Sequence, residues 1–303
     1  MSIQQLTKTI ARDKYLFLLI FPVIAYFIIF HYIPMYGVVI AFKDFHPIKG
    51  ILGSPWIGFG NFEQFFNSIY FWRLMKNTIL LSLYSLLWGF PVPILFALLL
   101  NELREGLFKK SVQTISYLPH FISIVVVVGM IVNFTSIQSG VINQMLAWFG
   151  VQPISFLSEP GWFRTIFVSS SIWQGFGWGS IIYLAAISGI DQQLYEAAEI
   201  DGASRWRKMW HITLPCLVPT IVILLILNAG SLMEVGYEKI ILLYNPTTYE
   251  TADVISTFVY RQGIEKADYS YSAAIGLFNN IINMILLLSV NRISKKMTET
   301  SLW

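Results

Sequence analysis

The chain has 303 residues, of which 55 % are hydrophobic and only 12 % charged, with ten Trp and a net charge of +3. Soluble domains carry roughly a quarter charged residues, so the composition excludes an ordinary soluble domain and points to a polytopic membrane protein with many interfacial anchors. The charge is too small to indicate nucleic acid. The single cysteine, Cys216, excludes an internal disulfide and a cysteine-based metal framework, and reads as a small buried hydrophobe near a span end.

At the N-terminus Lys8, Arg12 and Lys14 precede an apolar run from Tyr15 to Phe42. That run is far longer than the h-region of a cleaved signal and no small-x-small site follows, so it reads as a retained span. Before it, Ile3, Leu6 and Ile10 at helical spacing suit a segment lying along the cytoplasmic surface. A helix needs about 20 largely apolar residues to cross lipid. Six segments qualify: 15–42, 77–100, 113–134, 164–190, 212–236 and 271–291. Each is apolar around most of its circumference, which argues for helices and against the alternation of a β-barrel. The expected fold class is therefore an all-α polytopic membrane protein with six transmembrane helices. Pro22, Pro34, Pro91, Pro93, Pro119, Pro215 and Pro219 fall in or beside these segments, as kinks or span ends that neighbouring helices tolerate.

Of the chain's 20 Lys and Arg, twelve fall on one side if the N-terminus is inside: Lys8, Arg12, Lys14, Arg104, Lys109, Lys110, Arg205, Arg207, Lys208, Arg292, Lys295 and Lys296. This bias places both termini in the cytoplasm. Outer residues 43–76, rich in Gly, Pro and aromatics, predict a compact cap, and residues 237–270 a short amphipathic surface helix.

Residues 195–219, YEAAEIDGASRWRKMWHITLPCLVP, are polar and broken by turn residues between two apolar segments. Asp191 can cap a short helix over Gln192–Ile200, Asp201-Gly202 supplies a turn with glycine free to go left-handed, and Ser204 can cap a second helix. Trp206 and Trp210 with Arg205, Arg207 and Lys208 suit the headgroup region before Leu214-Pro215 returns the chain to the bilayer. The first helix carries Leu194, Ala197 and Ala198 on one side. Small residues let another backbone approach closely, so the helix can seat in a partner's groove; equally, the loop can be a solvated connection.

Glu196-Ala197-Ala198, then Gly202 after three residues, then Ile212-x-Leu214-Pro215 after nine, resembles the EAA signature of permease subunits of binding-protein-dependent ABC importers, with Asp201 and Ala203 fitting its fuller form. The segments HYIPMYGVVIAFKDF, GYEKIILLYNPTTYETADVISTFVYR and DYSYSAAIGLFNNIINMILLL and the terminal SLW are similar to one branch of the maltose-type permeases, which serves oligosaccharides or polysaccharide fragments. The resemblance implies a type I ABC importer permease fold in the bacterial cell membrane. It implies a cytoplasmic/interfacial segment 1–14, a first helix and outer loop 15–76, a permease core 77–292 holding the EAA coupling loop 191–215, and a tail 293–303. Glu196, Ala197, Ala198, Asp201 and Gly202 would form the helix and turn that dock on an ATPase, with Ile212, Leu214 and Pro215 tying it to the fifth span. The implied partners are a second, related permease, two cytoplasmic P-loop ATPases carrying ATP and Mg, and an extracytoplasmic sugar-binding protein. The chain has no G-x-x-x-x-G-K-[ST] of its own, so it is expected to be no enzyme.

Carbohydrates present apolar C–H faces beside hydroxyls, and their sites combine aromatic rings with amides or carboxylates. Candidates for such a path are Trp173, Gln174, Trp178 and Tyr183 in the fourth span, Asn228 and Glu234 in the fifth, and Asn279, Asn280 and Asn283 in the sixth. Each Asn can instead bridge helices, and Glu234 can be a hydrated residue near the outer end. Gly175 and Gly179 form a small-xxx-small pair whose better-supported role is close helix packing. His31 is expected to be hydrogen-bonded within the bundle. No His/Asp/Glu cluster has metal spacing and no nucleophile–base pair is evident. An ion-coupled secondary transporter is the alternative reading, but it asks for intramembrane carboxylates or histidines that the spans offer only in Glu234 and His31. A membrane-embedded transferase would need a catalytic constellation that is not there.

Overall fold

The structure, a computed structural model, describes residues 13–298. The expected surface segment with Ile3, Leu6, Lys8, Ile10 and Arg12, and the terminal SLW, lie outside the described residues. Among the described residues helices dominate, and the one β-bridge joins Lys43 to Trp56.

The first helix, α1 (Lys14–Phe42), is followed by short turns and then by α2 (Phe71–Asn101). Next come α3 (Leu107–Phe121), α4 (Ile124–Thr135), α5 (Val141–Trp148) and α6 (Pro160–Ser188). The remainder is α7 (Gln192–Ile200), α8 (Arg205–Gly230), α9 (Tyr237–Leu243) and α10 (Tyr269–Thr298), with short helical turns between α9 and α10. By length and composition α1, α2, α8 and α10 can each cross a membrane. The segment expected to be the third span is instead a bent pair: α3 and α4 meet at 100°. Pro119 sits in the 3₁₀ turn Leu118–Phe121 that ends α3, and the Ser123 hydroxyl accepts from the Val126 N–H to start α4 afresh. Where the fourth span is expected the 29-residue helix α6 forms, but its many Ser and Gly residues keep it below the hydropathy of a membrane span, so among the described residues four helices, or five if the bent pair is one span, are long and apolar enough to cross, against the six expected.

Three spans contain a π-helical turn, at Ile28–Tyr32, Ser85–Gly89 and Met209–Thr213. A proline follows each closely: Pro34, Pro91 and Pro215. A proline ring clashes with the carbonyl four residues back and lacks an N–H; here that carbonyl belongs to Phe30, Leu87 or His211, inside the widened turn. The prolines therefore pass through continuous helices rather than ending them.

The chain divides into two compact units, one up to Asn67 together with Arg261–Leu277, the other Ser68–Tyr260 together with the residues from Phe278. In the first, the outer residues after α1 do form a compact fold. Phe42 stacks on Trp56 at 5.7 Å, the Asn61 amide donates to the carbonyls of Ala41 and Lys43, and Phe65 is fully buried. None of the residues Lys14–Phe27 is buried, so this apolar face of α1 is left to lipid or a partner. His31 is exposed on that helix against the rings of Tyr26 and Phe27, rather than hydrogen-bonded inside a bundle.

In the second unit α6 runs beside α2, with α8 completing one cluster: Ile94, Ala97 and Leu98 meet Tyr183, Ile187, Met209 and Leu217. Gly177 sets the closest approach, since a Cβ there would lie 2.0 Å from the Ser116 carbonyl oxygen on α3. Gly179 sits against Pro93, but Gly175 has open space around it, so the expected Gly175/Gly179 packing pair holds only at its second member. The residues after α8 also depart from expectation. Val235, Ile240, Leu243, Ala252 and Val254 are buried against Leu81, Val128 and Phe167, so α9 and the helical turn after it cover the bundle's core instead of lying on its surface. Cys216 is exposed on α8, not buried.

Candidate functional site

The polar loop folds as a capped helix and a sharp turn. The Asp191 carboxylate accepts from the Gln193 N–H at 3.0 Å and opens α7. At the other end the Gly202 N–H reaches the Glu199 carbonyl at 3.0 Å and the Ala203 N–H the Ala198 carbonyl at 2.8 Å. This pair of bonds is a Schellman C-cap, and it places Gly202 at φ +73°, the left-handed region that suits glycine. Ser204 then accepts from the Arg207 N–H and starts α8.

No residue of α7 is buried, and its apolar side chains Leu194 and Ile200 are 48 % and 88 % exposed. Glu196, Ala197, Asp201 and Gly202 are also exposed, with Ala198 half-buried. Although α7 has no core of its own, two side-chain links tie it to the base of α8. The Tyr195 hydroxyl lies 2.9 Å from the buried Thr213 Oγ1, and the Lys208 ammonium donates to the Glu199 carboxylate. That hydrogen bond, and then the charge of Lys208, holds the Glu199 carboxyl below the usual carboxylate range. Leu214 and the half-buried Ile212 anchor the start of the span, where Leu214 packs on the cluster around Leu217; Pro215 faces outward. Tyr195, Lys208 and Thr213 do not stand out in the sequence as site residues. The i+9 spacing of Glu199 and Lys208 across a turn is a signal only once the turn's path is known.

A cavity of about 860 Å³ lies within the second unit. One stripe of α6, Ser171, Gln174, Gly175, Gly179, Ile182 and Tyr183, forms much of its wall at helical spacing. Of the sequence candidates, Gln174, Tyr183, Asn228 and Glu234 come together on this cavity. Gln174 donates to the Ile122 carbonyl at the α3–α4 bend, and Asn228 to the Leu224 carbonyl of its own helix. The others lie elsewhere. Trp173 lines a separate apolar pocket of about 400 Å³, and Trp178 stacks on His120 at 4.7 Å. Asn280 is exposed on α10, whereas Asn279 and Asn283 are buried and grip the Met233 backbone: Asn283 accepts its N–H at 2.9 Å and Asn279 donates to its carbonyl at 3.5 Å. His120 and Lys239 line the cavity although neither stands out in the sequence.

Residues 89–299 match the family model described as the binding-protein-dependent transport system inner membrane component. The chain belongs to this family. The permease is 46 % identical to protein LplB of Bacillus subtilis over 96 % of its own length and 92 % of the relative's. It is equally similar, over 99 % and 94 %, to the polygalacturonan/rhamnogalacturonan transport system permease protein YteP of the same organism. Among solved structures, a chain of a bacterial ABC transporter involved in import of the acidic polysaccharide alginate superimposes with a TM-score of 0.90 at 50 % identity, covering 97 % of the permease and 99 % of that chain. A second structure of a bacterial alginate ABC transporter, in complex with alginate pentasaccharide-bound periplasmic protein, gives the same TM-score at 49 % identity. The permease is thus a multi-pass membrane component of a binding-protein-dependent ABC importer, with the type I permease fold. ATP hydrolysis is the work of separate ATPases, and nothing supports the ion-coupled alternative.

Proposed function

We propose that this permease forms, with a second and related permease, the pathway of an ATP-driven importer of oligosaccharides or polysaccharide fragments. Relatives at 46 % and 50 % identity carry polygalacturonan/rhamnogalacturonan and alginate in their descriptions, which supports a carbohydrate cargo. Two cytoplasmic P-loop ATPases bind ATP and Mg, an extracytoplasmic binding protein delivers the sugar, and both termini of the permease are cytoplasmic. Residues Glu196, Ala197, Ala198, Asp201 and Gly202 dock on an ATPase, and Ile212, Leu214 and Pro215 carry the push into α8. Gln174, Tyr183, Asn228 and Glu234 face the sugar.

The observation that carries this reading is the exposed α7, without a core yet tied to α8 through Tyr195–Thr213 and Glu199–Lys208. A helix held in this way moves with its span as one body, which is what a coupling element requires. ATP and the loaded binding protein favour different states of the bundle, and alternation follows from that difference. Affinity purification from native membranes in mild detergent, with a Glu196→Arg variant in parallel, tests the assembly. A P-loop ATPase and a second permease are expected with the parent chain, and loss of the ATPase with the variant. Recovery of the chain alone, under conditions that preserve other membrane complexes, would overturn the reading.

A further inference from the structure

Lys239 sits on α9 with 5 % of its surface exposed. Its ammonium donates to the Ser171 hydroxyl at 2.8 Å and to the Phe167 carbonyl at 3.4 Å, and lies 5.2 Å from the centre of the Phe167 ring. All of these partners are neutral. Among the described residues no carboxylate comes within ion-pair distance of it. Glu234 and Glu238 line the same cavity but are exposed, where water screens them.

A buried cation with no counter-charge is costly, and the hydrogen bonds and ring face only offset part of that cost. Burial lowers its pKa to about 8, which still leaves the ammonium mostly protonated at neutral pH. An ammonium has three donors, and the fixed partners account for two. A methionine would fill the same volume without the penalty. The position is therefore suited to an anion that is present only part of the time, and a charge–charge contact is strongest where water is excluded. The surrounding wall supplies groups for the rest of such a ligand in the amides of Gln174 and Asn228, which suit hydroxyls. The cavity volume lies within the roughly 300–1,000 Å³ of ordinary small-molecule sites.

We infer that Lys239 is the carboxylate-recognising residue of the pathway, and that the cargo is an acidic oligosaccharide built from uronic acids. This rests on the carbohydrate-importer reading above. The test uses the complete complex in proteoliposomes with its binding protein, offered tetragalacturonate, tetramannuronate and the carboxyl-reduced form of each. The parent complex should import at least one acidic tetrasaccharide. Lys239→Met should lower that import tenfold or more while the loaded binding protein still stimulates ATP hydrolysis as in the parent; Lys239→Arg should retain most of the import. A purely structural lysine would instead lower complex yield and stimulated hydrolysis together. Undiminished acidic import by Lys239→Met, equal loss in the Met and Arg variants, loss of stimulated hydrolysis alongside import, or a parent complex that carries only carboxyl-reduced sugars would each overturn the inference while leaving the importer standing. If the parent complex carried none of the four, the uronic-acid cargo would likewise be overturned, whereas failure to recover any ATPase or second permease would bring down the importer reading itself.

Discussion

Gly202 offers the sharpest perturbation of the polar loop proposed to couple the permease to its ATPase. It sits at φ +73°, and a Cβ built there meets nothing within 4 Å in this chain. Replacement by alanine therefore introduces no clash within the permease, and its whole intramolecular cost is torsional. For an L-residue in the left-handed region that cost is about 1–2 kcal/mol. It acts on the turn alone, lowering the weight of the observed Schellman geometry against other loop conformations by a factor of about 5–30. Asparagine tolerates this region better, and a β-branched valine tolerates it worst. Coupling, measured as sugar imported per ATP hydrolysed in nanodisc- or liposome-reconstituted complex, should fall in the order Gly, Asn, Ala, Val, with membrane-inserted protein unchanged across the series. Gly202→Asp adds a charge at the same place and should uncouple at least as strongly as alanine. Equal coupling in the alanine and valine variants would show that the turn's geometry is not what the ATPase reads. A fall in inserted protein that tracks the loss of import would assign the glycine to folding instead.

Gly177→Ala should destabilise the bundle by about 1–3 kcal/mol, because the Ser116 backbone cannot yield to a Cβ 2.0 Å away, whereas Gly175→Ala, with open space, should leave the melting midpoint in detergent unchanged. Asn283→Leu strands the buried Met233 N–H and should lower stability by about 1–3 kcal/mol, read by thermal aggregation of the tagged chain; an unchanged midpoint would mean that another group takes over the bond. The exposed Glu199 has its pKa depressed in the folded chain, so its pairing with Lys208 is in place above the ordinary carboxylate pKa and is lost as pH falls through the lowered one. Glu199→Gln should accordingly speed amide exchange in the peptide spanning the loop at pH 7, and the difference from the parent should vanish at strongly acidic pH; a difference that persisted there would refute the assignment.

The fold of the polar loop was legible because its determinants are local. Asp191, Gly202 and Ser204 act through bonds that span two to five residues, and the structure forms the expected bonds at each. The apolar spans were legible from length alone, apart from the third. There Pro119 and the Ser123 cap turn one apolar segment into two helices, and hydropathy does not distinguish a straight helix from a bent one. Burial of the segment after α8 escaped because amphipathic residues such as Tyr237, Glu238 and Lys239 suit a surface as well as a cover. Only their partners on α2, α4 and α6 decide between the two. The glycines show the same limit: three of them two residues apart look alike in sequence, and only the neighbour of Gly177 is a backbone carbonyl.

The π turns ahead of Pro34, Pro91 and Pro215 have a consequence for how these spans vary among relatives. A π turn holds one residue more than the α-helix it interrupts, and one residue is about 100° of helical rotation. The side chains on either side of Met209–Thr213 are thus out of phase by that angle, and a helical wheel drawn through the whole of α8 smears two true faces into one. Deleting a single residue there would not simply shorten the helix. It would swing Ser204 and everything before it about a quarter-turn around the span, carrying α7 to a different bearing on whatever lies beneath it. Gaps of one residue in an alignment at this place would therefore mark permeases whose α7 faces another side of the span.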